Sequence, residues 1–157
     1  MVSSKWFIFV LVFVFFYSCA PEKQKTNIVK TESGLTCDSV YLYYQNAEYN
    51  LVEFPMDSVV EMVFTGLNGF KLINGNNFIG GSLMVSDSTG DVIFKLDDVF
   101  LGLENEGVEK SLISKRVSMV LETGSPMKKG NIYTWENTIW DKKGNGKITA
   151  KTKIRLI

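Results

Sequence analysis

The chain has 157 residues, 45% of them apolar, with 17 basic and 17 acidic side chains and no histidine. That length and composition fit one ordinary domain with a substantial core, and the balanced charge excludes a bulk electrostatic attraction to nucleic acid. Without imidazole there is no Ser-His-Asp or Cys-His machinery and no His-ligated zinc. An enzyme built on this chain would have to work with carboxylates alone, and no residue pattern calls for a cofactor or a metal. The reading is therefore non-enzymatic.

In chain order, the first element is Met1 to Cys19. Lys5 precedes an unbroken apolar run from Trp6 to Tyr17, and Ser18-Cys19-Ala20 follows. A positive start, a short apolar core and a small residue before the cut make up a secretory signal peptide. The run is shorter than the ~20 residues that a bilayer-spanning helix needs. Phe16-Tyr17-Ser18-Cys19 resembles a bacterial lipobox, which implies a signal peptide over residues 1–18, an acylated Cys19 as the mature N-terminus and a lipid anchor in the cell envelope. Cys37 is then the sole remaining thiol, so no intrachain disulfide is expected and Cys37 is read as buried. Residues 19–34 are polar and poor in apolar side chains, too poor to offset the entropy of ordering them, and read as a flexible tether.

From Leu35 the texture is strand after strand. Residues 35–44 and 58–65 are rich in aromatic and β-branched side chains. A further strand is expected over 67–74. Strands 82–87 and 91–96 flank Ser-Thr-Gly as a hairpin, with Val92, Phe94 and Leu96 on one face. Residues 99–115 read as a long crossover with a single helical turn. Strands follow at 116–122, with Val117, Met119 and Leu121 inward, and at 131–141, with Tyr133, Trp135 and Ile139 on one face. In the terminal strand 147–157, Ile148, Ala150, Thr152, Ile154 and Leu156 alternate with Lys147, Thr149, Lys151, Lys153 and Arg155. Period two over that length marks a strand with one buried and one wet face.

Seven or eight short strands with frequent turns predict an all-β domain over residues 35–157, a two-sheet antiparallel sandwich of immunoglobulin-like type without a disulfide. A small closed β-barrel is the alternative. The Gly-Leu-Asn-Gly-Phe strand end, the Val-Ser-Asp-Ser-Thr-Gly-Asp hairpin and the terminal Tyr-Thr-Trp and Asp-Lys-Lys-Gly elements resemble single-domain β-sandwich lipoproteins of Gram-negative bacteria. The resemblance implies a lipid-anchored protein of the outer membrane, facing periplasm or surface. It implies no active site.

Three constellations bear on chemistry. Asp141-Lys-Lys-Gly-Asn-Gly146 looks like the opening of a calcium loop, but Lys143 and Thr152 stand where oxygen ligands belong, so it reads as a turn. Asp87, Asp91, Asp97 and Asp98 superficially resemble C2-type calcium loops. A strand lies between the two pairs, however, so Asp87 reads as an Asx cap and the other three as solvated. Among the aromatics, Trp140 falls on the face opposite Tyr133 and Trp135, as an exposed ring or one covered by the N-terminal segment or a loop. Charge is segregated: residues 48–109 hold eleven acidic and two basic side chains, residues 126–157 eight basic and two acidic. Trp140, Lys147, Lys151, Lys153 and Arg155 are the candidate ligand surface. The expected function is a membrane-anchored, non-catalytic binding or structural domain with an envelope protein or glycan as partner; the alternative is an extracellular carbohydrate-recognition module.

Overall fold

A computed structural model describes residues 24–157. The expected signal peptide and Cys19, the expected lipid site, lie outside the described residues. The strands are β1 (Val29–Ser33), β2 (Ser39–Tyr44), β3 (Ala47–Tyr49), β4 (Glu53–Phe54), β5 (Ser58–Thr65), β6 (Asn76–Asn77), β7 (Ile79–Ser86), β8 (Val92–Leu96), β9 (Val108–Glu109), β10 (Val117–Thr123), β11 (Ile132–Asp141) and β12 (Lys147–Leu156). One short helix, α1 (Lys110–Lys115), sits in the crossover, where a single helical turn was expected.

Six strands form one sheet in the order β1-β12-β11-β7-β8, with β4 added in parallel at the end of β12. Four form the second, β10-β5-β2-β3, and β6 pairs with β9. One cluster of buried side chains joins both sheets: Leu42, Met62, Phe64 and Met119 from the smaller, Leu83, Trp135, Ile148 and Ile154 from the larger. The domain is an all-β sandwich without a disulfide and is not a closed barrel. The strand order, which the sequence leaves open, keeps β2 and β5 side by side.

The alternating strands are as the periodicity requires. Val117, Met119 and Leu121 are buried on β10, Tyr133, Trp135 and Ile139 on β11, and all five predicted inward residues on β12. Asn137 joins the inward row of β11, and its Oδ1 accepts the Trp135 indole N–H at 3.0 Å. Cys37 is buried as expected, and burial pushes its thiol pKa up.

Three segments depart from expectation. Residues 67–74 form no strand; left-handed Gly66 and Gly69 break the extended chain, and isolated bridges at Asn68 and Ile73 remain. β7 starts at Ile79, through Gly80 and Gly81, earlier than the expected Ser82. The end of the expected tether is ordered: Val29–Ser33 is an edge strand, paired antiparallel to Lys147–Lys151 of β12. All five of its side chains are exposed, so it carries no apolar period, and backbone pairing holds it.

Candidate functional site

The alternation of β12 puts Lys147, Thr149, Lys151, Lys153 and Arg155 on the outer face of the larger sheet. β11 sets Trp140 opposite Lys147, Thr138 opposite Thr149, Glu136 opposite Lys151 and Thr134 opposite Lys153. On the other side, β1 sets Ser33, Thr31 and Val29 opposite Lys147, Thr149 and Lys151. All five candidate ligand residues therefore share one face, with Trp140 and Lys147 as direct neighbours.

Sequence reasoning missed the hydroxyl row across this face. Thr31, Thr149, Thr138 and Ser82 lie in register on four adjacent strands, and the Thr138 and Thr149 hydroxyls are 3.1 Å apart. The signal was present as outward-facing Thr138 on β11 and Thr149 on β12, but only the pairing aligns them. Two depressions follow β12. One, of about 320 Å³, is walled by Thr31, Ser33 and Glu136 around Lys147 and Thr149. The other, of about 410 Å³, is walled by Asn27 and Thr134 around Lys153. Val29 and Lys151 line both, so they form one trough. From Lys147 to Lys153 it runs roughly 20 Å at the rise of a strand.

The trough is cationic and lightly neutralised. Lys151 stands 4.0 Å from Glu136, and Glu53 is the register neighbour of Arg155. Lys147, Lys153 and Arg155 form no ion pair among the described residues. Trp140 is half-buried because its indole lies over Gly80, the opposite residue on β7, where any Cβ would collide with the ring. The glycine beneath it contributes to that partial burial, since any larger residue at position 80 would displace the ring.

The acidic constellations are structural. Asp141 is buried, and its carboxylate accepts the Lys71 N–H at 2.6 Å and the Lys143 N–H at 2.9 Å. Lys143 instead places its ammonium 5.0 Å from the Phe78 ring centre. Asp87 accepts the N–H groups of Thr89 and Asp91 at 2.9 and 3.0 Å, the expected Asx cap. Asp98 corrects the expectation of a solvated acid. It accepts the N–H groups of Gly81 and Phe100, at 3.1 and 2.9 Å, and pairs with Lys142 at 2.6 Å. Burial pushes the Asp98 pKa up, but the Lys142 ammonium and the two N–H groups outweigh it and hold the carboxyl below its ordinary value. Glu104 also meets Lys142, at 3.3 Å, so the acidic and basic segments touch here.

No protein-family model matches the chain, and the curated proteins include no significant relative.

Proposed function

We propose that this chain is a lipid-anchored, non-catalytic binding protein of the bacterial cell envelope, and that its ligand is an extended anionic glycan lying along β12. The observation that carries the reading is the trough itself. Lys151, Lys153 and Arg155 supply cations every ~6.7 Å with Lys147 beyond Thr149, the hydroxyl row supplies donors and acceptors for sugar hydroxyls, and Trp140 offers the edge of an aromatic platform. The lipobox resemblance supports the anchor at Cys19 and a place in the outer membrane. Among the described residues Glu136 is the one carboxylate lining the trough, which suits a cationic binding surface.

Binding of polygalacturonate and of neutral dextran to the full-length protein tests the reading. Polygalacturonate should bind and weaken with salt, as exposed charges are screened. Lys151→Ala with Lys153→Ala should weaken it by about tenfold or more, or ~1.4 kcal/mol. Equal affinity for both polymers, or full retention by the double variant, overturns the glycan assignment. For the anchor, labelled palmitate should enter the wild type, and Cys19→Ser should release the protein from membranes.

A further inference from the structure

The geometry points to a second binding site, at the β8 edge of the sandwich, for an extended peptide segment with apolar and cationic side chains that adds to β8 as a strand. The site is independent of the trough. A groove of about 510 Å³ separates β8 from β10, with Phe94, Leu96, Leu121 and Met127 on its walls and Asp57 and Glu122 at its rim. Phe94 and Leu96 point toward the interior side of their sheet, since their partners Val85 and Leu83 are fully buried. They nevertheless remain 38% and 42% exposed. The smaller sheet ends at β10 and does not reach over them.

Among the described residues the backbone of β8 faces no strand on its outer side, which leaves alternate N–H and C=O groups open to another chain. Edge strands are often protected by inward-pointing charges or by lysine. Here the inward positions are apolar, and the one lysine, Lys95, is opposite Met84 on the outer face and pairs with Asp97. The chemistry of the occupant follows from the rim. Asp57 and Glu122 form no ion pair among the described residues, so they match a cation. An added strand repeats its groove-facing side chains every ~6.7 Å, so apolar residues followed by Lys or Arg would cover Phe94 and Leu96 and reach the carboxylates. A second copy fits poorly: antiparallel pairing about Phe94 sets Asp91 against Asp97 and brings acidic rim to acidic rim. Strand addition supplies affinity through the backbone and selectivity through alternate side chains.

A dye-labelled, acetylated and amidated peptide Thr-Val-Thr-Val-Thr-Lys-Thr tests this with the full-length protein by fluorescence anisotropy. Saturable binding is expected, with amide-exchange protection gained on the outer edge of β8. Phe94→Ser, and separately Asp57→Asn with Glu122→Gln, should each weaken it by about tenfold, equivalent to ~1.4 kcal/mol. Methylating alternate peptide nitrogens should abolish it, and replacing the peptide lysine by glutamate should weaken it as the rim variants do. No saturable binding, equal affinity for the rim variants, or binding of the methylated peptide overturns the site. Protection of β8 in the protein alone, together with a dimer in sedimentation equilibrium, assigns the edge to a second copy and overturns it equally.

Discussion

At one edge of the larger sheet β1 directs Lys30 and Glu32 toward the interior side, opposite buried Ala150 and Ile148; at the other, β8 directs Phe94 and Leu96 the same way. The two strands are almost equally exposed, yet their chemistry is opposite. At β1 the charges are satisfied: Glu32 accepts the Cys37 N–H at 2.8 Å, Lys30 donates to the Cys37 carbonyl at 2.8 Å, and the two side chains pair at 2.7 Å. Leu35 and Cys37 are buried beside this network. At β8 the apolar groups meet a groove. Inward charge closes an edge because another chain would have to desolvate it, whereas inward apolar surface invites cover.

The largest expected contrast is between Leu35 and Leu96. Leu35→Ala at the closed edge should cost ~2–5 kcal/mol, since its side chain is fully buried. Leu96→Ser at the open edge should change the unfolding free energy measured in urea by about 0.5 kcal/mol or less. Equal losses at the two positions would mean that β8 is packed after all.

The open edge is pinned where the chain leaves it, at Asp98. Lys142→Met should cost ~1.5–3 kcal/mol, the range for hydrogen bonds to charged groups. Because the Asp98 pKa is lowered in the fold, this stabilisation is present above the ordinary carboxylate pKa and is lost as pH falls through the lowered value. Lys142 is held above its ordinary value: burial lowers it, but its hydrogen bonds to Asp98 and Glu104 outweigh burial. Lys142 is the donor in both bonds, to the Asp98 and Glu104 carboxylates, and its contribution is full below its ordinary pKa and is lost as pH rises through the raised one. Urea titrations across pH should thus show wild type and variant converging in acid and again in strong alkali. Between the edges, Gly80→Ala would press a methyl into the rigid Trp140 ring, at ~1–3 kcal/mol; a red-shifted tryptophan emission would accompany it.

The smallest effect belongs to the closed edge itself. The Glu32 carboxyl is held below its ordinary pKa, first by the Lys30 ammonium and then by the Cys37 N–H. The protection it gives β1 therefore exists above that ordinary pKa and fades as pH falls through the lowered one. Glu32→Gln should speed amide exchange over Val29–Ser33 at neutral pH and remove that pH dependence, without a comparable change in β8. An unchanged β1 would leave backbone pairing alone to explain the closure.

What the sequence shows and hides divides along the same lines. β12 is legible because its partners bury every second residue, and β5 because Ser58–Thr65 is apolar enough to be central. β1 is illegible: a strand held by its ladder and by two charges has no hydrophobic period to display. In β8 the period is legible and misleading. A bulge opposite Val85 and Ser86 sets Val92 across from Ser86, and Ile93 packs against the core in its place. The outer face of the larger sheet was legible as a set of cations with an aromatic beside them, since alternation alone gathers β12. Its hydroxyl row needs four strands in register, and the Asp98–Lys142 pair needs residues far apart in the chain to meet; neither is written locally.

The bridges that tie down the start of the described chain also set its mechanical response. Val52 N–H reaches the Gln24 carbonyl at 3.2 Å, Thr26 N–H reaches that of Asn50 at 2.7 Å, and β1 then runs antiparallel to β12 beneath the trough. A pull entering at Gln24 along the strand axis, resisted by a polymer gripped on β12, slides β1 lengthwise past its neighbour. The hydrogen bonds along β1 then share the load in shear, where a perpendicular pull would peel them one by one. Along that line the whole β1 ladder resists at once.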